Sequence, residues 1–223
     1  MARQLRLRLR RPNEHGRADF VEGPSNVVAA AAVDAWPSWH GGVLALVGPE
    51  GAGKTHLARA WALHSNAVTL DRRAPDLATA EGRPVLIEDV DRGAPDEALF
   101  HLINMAGRPG GGLLFTARTP PAAWAAVLPD LHSRLNAMPV AIIEDPCDVV
   151  LEAVLRKLFR ERSIRPKEDV YPYLLRRMER SVSQAREIVR RLDEAADEAE
   201  RPISRALARQ ILEEDDGNLD LFE

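Results

Sequence analysis

Several things are scarce in this sequence, and each shortage closes off a class of protein. One cysteine, Cys147, is present in 223 residues. No internal disulfide can form, and a cytoplasmic protein is the expectation. Cys147 itself reads as a small hydrophobe. Aromatic residues make up 5% of the chain, which gives little material for a platform that stacks single-stranded nucleic acid. Neither sign of charge dominates: 30 Lys and Arg stand against 34 Asp and Glu, a net charge of −4. A broad grip on DNA by phosphate neutralisation alone is not expected, although a local basic patch stays open. Long apolar runs are missing too. The run Val27 to Val33 stops at Asp34, far short of the roughly 20 residues that span a bilayer. The first residues alternate Arg with Leu and have no apolar h-region, unlike a signal peptide. Internal repeats and low-complexity tracts are not evident.

What is present is a soluble composition, 45% hydrophobic and 29% charged, able to build a core. Five short apolar runs predict strands: Val43–Val47, Ala67–Leu70, Pro84–Asp89, Gly112–Ala117 and Val140–Glu144. Several are apolar on both faces, as buried parallel strands are. Helical spacing predicts helices over Asn26–Ala35, Lys54–His64, Asp96–Ala106 and Pro121–Leu128. Alternating strands and helices predict an α/β fold with a parallel sheet and helices on both faces.

Past "EDPCD", Glu144 to Asp148, the strand pattern ends. Val150, Val154, Leu155, Leu158 and Phe159 recur at helical spacing. Leu174, Leu175 and Met178 do so as well, followed by Val182, Ala185, Ile188, Val189 and Leu192. A last group is Ile203, Leu207, Ile211 and Leu212. Pro166 and Pro202 mark breaks. The expected organisation is an extended peptide at 1–12, an α/β nucleotide-binding domain at 13–146, a small all-helical lid at 147–215 and a flexible acidic tail at 216–223.

The densest signal is "GPEGAGKT", Gly48 to Thr55, between a predicted strand and a predicted helix. Gly48, Pro49, Glu50, Gly51, Ala52, Gly53, Lys54 and Thr55 satisfy G-x-x-x-x-G-K-[ST]. Glycines let backbone N–H groups wrap phosphates, and the following helix points its positive end at them. Lysine reaches the outer phosphates and the threonine hydroxyl holds Mg²⁺. "PVLIEDVD", Pro84 to Asp91, brings Glu88 and Asp89 to a strand's C-terminal end, where such sheets bind ligands. Glu88 is the candidate for Mg²⁺ and Asp89 for orienting water. "LLFTART" ends a buried run in polar Thr116, placed to touch a γ-phosphate or the attacking water.

The order of "FVEGPSN", "GPEGAGKTHL", "LIEDVD", "TARTPP" and "LHSRL" resembles the bacterial DnaA branch of the AAA+ ATPases over most of Phe20 to Glu214. His56, after Lys-Thr, is typical of that branch. The sequence ends where a DnaA would continue into its helix-turn-helix DNA-binding domain. "QLRLRL", Gln4 to Leu9, stands where DnaA has a long N-terminal domain, and it is similar to the sliding-clamp-binding peptide of Hda and HdaA-type regulators. The "EGAG" of the phosphate loop is similar to theirs also.

This resemblance implies a regulator that binds ADP or ATP with Mg²⁺ and rides on the β sliding clamp of DNA polymerase III. Such a regulator stimulates hydrolysis of DnaA-bound ATP and so restrains replication initiation. It implies contact with DNA only through the clamp, no membrane, and leaves a homo-oligomer open. It places the AAA+ arginine finger on Arg134. It places clamp binding on Gln4, Leu5, Leu7 and Leu9, whose alternation presents one apolar face. "NLDLF", Asn218 to Phe222, is a second candidate clamp peptide. Two positions depart from the pattern. Ser183 stands where DnaA-like proteins carry the lid arginine, with Arg180 and Arg186 both open as substitutes, and Glu88 replaces the usual Asp. The competing expectations are a self-contained P-loop ATPase or small-molecule kinase, and a helicase-loader-like protein.

Overall fold

A computed structural model describes residues 16–199 and 201–219. Its centre is a five-stranded parallel sheet in the order β2-β3-β4-β1-β5. The strands are β1 (Val43–Val47), β2 (Val68–Thr69), β3 (Pro84–Ile87), β4 (Gly112–Ala117) and β5 (Val140–Ile142). β1 and β4 are buried at every residue, as a sheet covered on both faces requires. Successive side chains of a strand face opposite layers. Leu44 and Leu46 accordingly join Leu86, Leu114, Ala141 and Ile143 under α1 (Val27–Asp34) and α2 (Lys54–Ser65), which contribute Ala29, Ala30, Val33, Leu57, Ala58 and Trp61. Val43, Ala45 and Val47 join Val85, Ile87, Leu113 and Phe115 under α3 (Asp96–Ala106) and α4 (Pro129–Asn136), with Leu99, Leu102, Ile103, Leu131 and Leu135. The predicted α/β architecture is observed.

One predicted helix is displaced. Pro121–Leu128 does not form an α-helix: a 3-10 turn covers Pro121–Ala123, and Trp124 is extended. Trp124 turns into the core against Phe115, with ring centroids 5.7 Å apart. Its indole N–H donates to the Thr119 carbonyl at 2.9 Å. The Asp96 carboxylate accepts from the amides of Val127 and Leu128 at 2.6 and 3.2 Å, and the helix starts afresh at Pro129, where a missing N–H costs nothing. β3 and β5 each stop two residues before their predicted ends. At β3 the cause is Asp89, whose φ of 53° takes the chain out of the ladder.

Among the described residues the second half contains helices and no strand: α5 (Asp148–Glu161), α6 (Val170–Leu175), α7 (Val182–Ala199) and α8 (Arg205–Leu219). Val150, Leu151, Leu155, Phe159, Tyr171, Leu174, Ile188, Leu192 and Ile211 form its core. α8 carries the backbone to Leu219, so the segment expected as a flexible tail from Asp216 is helical that far. Among the described residues no helix is long and apolar enough to cross a membrane.

The segment Phe20 to Asn26 joins body and lid. The Asn26 side chain accepts from the Gly23 amide and donates to the Val21 carbonyl, both at 2.9 Å. Val21 packs into the lid core. The Cys147 amide donates to the Ser25 hydroxyl at 3.3 Å, and the Glu144 amide to the Ser25 carbonyl at 3.0 Å. Lys157 of α5 pairs with Asp19 at 3.1 Å.

Candidate functional site: a phosphate loop under a helical lid

Between β1 and α2 the chain makes a turn that its glycines permit. A Cβ at Gly48 would lie 2.2 Å from the Ile143 carbonyl oxygen, so the loop leaves the sheet in a slot that takes only glycine. The Gly48 amide donates to the Ala117 carbonyl at 3.2 Å, which ties the loop to the end of β4. Gly51 and Gly53 have φ of 76° and 103°. Gly53 caps α2, and Lys54 is its first residue. The Lys54 ammonium is buried and donates to the carbonyls of Gly48 and Pro49, each at 2.7 Å. Burial lowers its pKa from the ordinary lysine value, and the guanidinium of Arg118 adds to the lowering. Asp89, Asp91 and Glu50 oppose it. Thr55 is exposed at the second helical position, and Ala52 is buried beneath the loop. His56 lies edge-on to Phe20 with centroids 5.5 Å apart. Its Nε2 is 3.3 Å from the Gly16 carbonyl. This puts "FVEGPSN" beside the start of α2.

The acidic edge lies past β3 and β4, which are neighbours in the sheet. The hydroxyl of Thr116, 1% exposed, accepts from the Asp89 amide at 2.9 Å. The structure therefore joins two predicted site residues 27 positions apart. Glu88 turns toward α2, where Arg59 donates to one carboxylate oxygen at 3.0 Å. Its other oxygen is buried without a hydrogen-bond partner. A carboxylate oxygen without a hydrogen-bond partner at Glu88 and an exposed hydroxyl at Thr55 are hard oxygen donors of the kind Mg²⁺ takes. Among the described residues no group of three or more His, Cys, Asp or Glu could hold a metal alone.

Two residues of this site escaped the sequence reading. The Asp91 carboxylate accepts from the amides of Arg118 and Thr119 at 2.7 and 3.1 Å, and Arg118 forms an ion pair with Glu50 of the loop. The pattern "DVD" carried the first signal, since an acid two residues past Asp89 can still face the end of the neighbouring strand. Arg118 had no local signal.

The lid closes onto the phosphate loop directly. The Val182 amide donates to the Gly51 carbonyl at 2.8 Å. A Cβ at Gly51 would fall 2.1 Å from the Ser181 hydroxyl oxygen and 3.1 Å from that of Ser183. These two hydroxyls are 2.6 Å apart, and Ser181 caps α7 by accepting from the Gln184 amide at 3.3 Å. The S-x-x-Q spacing of Ser181 to Gln184 was a legible helix start. Of the two candidate substitutes for the lid arginine, Arg180 is drawn away to Asp148 at 2.8 Å and to the Pro146 carbonyl. Arg186 is exposed on α7, one turn past Ser183.

Arg134 is on α4, exposed, with its guanidinium 5.1 Å from the centroid of the Phe100 ring on α3. Phe100 also lines a recess of about 690 Å³ with Leu77, Ala78, Asn104 and Met105. Gln4, Leu5, Leu7 and Leu9 lie outside the described residues, as do Asp220, Leu221 and Phe222 of the second candidate peptide.

No family model matches the chain. Its fold is similar to that of domain III of the Thermotoga maritima replication initiation protein DnaA, with a TM-score of 0.75 and 18% identity over 90% of this chain and 96% of that one. It is also similar to AMPPCP-bound DnaA from Aquifex aeolicus, at 0.66 and 16% over 82% and 68%. The Thermotoga maritima Holliday junction branch migration motor RuvB gives 0.67 and 17% over 89% and 71%. The chain therefore has the fold of DnaA domain III.

Proposed function

We propose that this chain is a nucleotide-dependent AAA+ adaptor in replication control. It binds ADP or ATP at Gly48–Thr55, holds to the β sliding clamp through Gln4, Leu5, Leu7 and Leu9, and stimulates hydrolysis of ATP on a DnaA partner. The observation that carries the reading is an asymmetry of cations. The lid meets its own phosphate loop with Ser181 and Ser183, where an arginine is expected, while Arg134 is presented to solvent on α4. A site arranged so is better suited to holding a nucleotide than to turning it over, and the exposed guanidinium of Arg134, packed over Phe100, suits a neighbour's phosphates.

Within the chain's own site, the loop amides and Lys54 bind the phosphates, and the lid contact at Gly51 reports their presence to α7. Thr55 and Glu88 would hold Mg²⁺, which supplies charge neutralisation at the phosphates. Asp89, fixed by Thr116, orients a water. That last pairing also favours a second reading, a self-contained ATPase. For the partner's reaction, charge accumulates on the transferred phosphoryl oxygens, and a guanidinium delivered against it stabilises the transition state. An arginine supplied in trans contributes ~10³–10⁵ in rate.

The test is single-turnover hydrolysis of DnaA-bound ATP in the presence of clamp loaded on DNA. Wild type is expected to accelerate it. Arg134→Ala is expected to lose the acceleration while keeping its fold and ADP affinity, and Arg134→Lys does not rescue it because a point charge lacks the planar fork. Gln4→Ala with Leu5→Ala is expected to lose clamp pull-down and the acceleration together. Arg134→Ala that stimulates as wild type, with hydrolysis of the chain's own ATP at a comparable rate, replaces the adaptor by the self-contained ATPase.

A further inference from the structure

We propose that the open outer edge of β5 is the resting seat of this chain's own segment Gln4–Leu9, which pairs with it as an added strand and is released from there to a partner. That segment lies outside the described residues. Its release to the sliding clamp rests on the reading of Gln4, Leu5, Leu7 and Leu9 as a clamp peptide; the seat itself rests on the fold.

β5 is the last strand of the sheet and pairs with β1 alone. Alternate residues of such a strand aim their backbone groups to opposite sides. The Pro139 carbonyl accepts from the Ala45 amide at 2.9 Å, and the Ile143 amide donates to the Val47 carbonyl at 2.8 Å, so the odd-numbered residues face β1. The amides and carbonyls of Val140 and Ile142 face outward, and none has a hydrogen-bond partner among the described residues. Just past them the Glu144 amide donates to the Ser25 carbonyl, which closes one end of the edge and leaves the rest open. An unpaired edge is a template for another strand.

The side chains lead to the same conclusion. Ala141 and Ile143 turn into the layer under α1 and α2. Val140 and Ile142 take the opposite face and are 40% and 62% exposed. Natural sheets protect their edges with charge, proline or a cover, and these two residues have none of the three.

Gln4–Leu9 has the complementary pattern. Leu5, Leu7 and Leu9 alternate with Arg6 and Arg8, so a strand there has leucine on one face and arginine on the other. Leucines laid on the face of Val140 and Ile142 extend its apolar strip, which fixes the register, since a slip of one residue reverses the faces. Charge favours the same neighbour. The residues before Gly16 include Arg3, Arg6, Arg8, Arg10 and Arg11 with Glu14 as their one acid, while Glu144 and Asp145 are exposed at the end of β5. The tether is long enough. Arg17 pairs with Asp34 at the end of α1 at 2.6 Å, and α1 packs on β5. Residues 10–15 span roughly 20 Å when extended, about twice the width of a helix.

The leucines that sit on β5 are those assigned to the clamp, so edge and clamp compete for them. The apparent affinity for clamp is then lowered by the fraction of chains that are docked.

The test is amide hydrogen exchange of the full-length protein without clamp. In wild type the amides of Val140 and Ile142 are expected to exchange about tenfold more slowly than in Leu7→Asp/Leu9→Asp, which loses the leucine face. Equal exchange in the two proteins overturns the proposal. Protection that grows with protein concentration overturns it as well, in favour of pairing between the β5 edges of two copies. The second arm is the clamp affinity of Ile142→Lys, because lysine on an edge blocks strand pairing and this position lies outside the peptide. Thermal melts check that the variant is folded. It is expected to bind clamp several-fold more tightly than wild type, and unchanged affinity overturns the competition. Wild type that protects the edge but does not bind clamp removes the clamp reading and leaves the seat on β5 standing.

Discussion

The amide of Val182, the first residue of α7, donates to the carbonyl of Gly51 at 2.8 Å. One hydrogen bond thus links the helical lid to the middle of the phosphate loop. Ser181 packs so tightly against Gly51 that a methyl group there would overlap its hydroxyl. A displacement of the loop would break or move this contact at the N-terminus of an 18-residue helix.

Gly51→Ala is therefore expected to damage both halves of the contact. The residue has φ of 76° and no room for a Cβ. A strained backbone position of this kind costs ~1–3 kcal/mol. Thermal melts should show the loss, and titration with ADP should show weakened binding. Wild-type melting and wild-type ADP affinity in the variant would show that the lid tolerates displacement and that the link is not used.

Thr116→Val tests the coupling of β4 to the acidic edge. Valine matches threonine in shape but leaves the Asp89 amide without its acceptor. A buried donor deprived of its partner costs ~1–3 kcal/mol. Urea unfolding should detect this loss in Thr116→Val and much less of it in Thr116→Ser. If the two variants are equally stable, the hydroxyl does not hold Asp89.

Ser183→Arg restores a cation to the lid at a position that already faces Gly51. Ser183 is exposed, so the longer side chain has room. A donor placed against developing phosphoryl charge contributes on the order of 10² in rate. Single-turnover hydrolysis of the chain's own ATP is expected to rise on that scale, with no gain in an accompanying Lys54→Ala background. A variant that binds ATP but hydrolyses it no faster than wild type would show that the serine is not what limits the site.

How much was legible before the structure differs from element to element. The strand β4 at Gly112–Ala117 and the helix α3 at Asp96–Ala106 match their predicted bounds to the residue, because apolar periodicity is local and burial on both faces leaves few alternatives. The phosphate loop was legible for the same reason: eight consecutive residues carry it, and Gly51 and Gly53 answer the positive φ of the turn itself. Pro121–Leu128 misled because its apolar residues have helical spacing, yet Trp124 is worth more in the core beside Phe115 than on a helix. The capture of the Val127 and Leu128 amides by Asp96, some thirty residues away, had no local trace.

By itself the sequence determined the glycine-rich strand–turn–helix at Gly48–Thr55, the two-part division into sheet and helices, and the chemical identity of Lys54, Thr55, Glu88 and Asp89. These depend on neighbours along the chain. Only the tertiary structure decided that Thr116 meets Asp89, that Arg118 reaches Glu50, that Arg180 pairs with Asp148, and that Ser181 and Val182 meet Gly51. Each of these joins side chains or amides that the order β2-β3-β4-β1-β5 and the docking of the lid bring together. Strand order and helix packing are set by the summed burial of the whole core, so no short stretch of sequence encodes them.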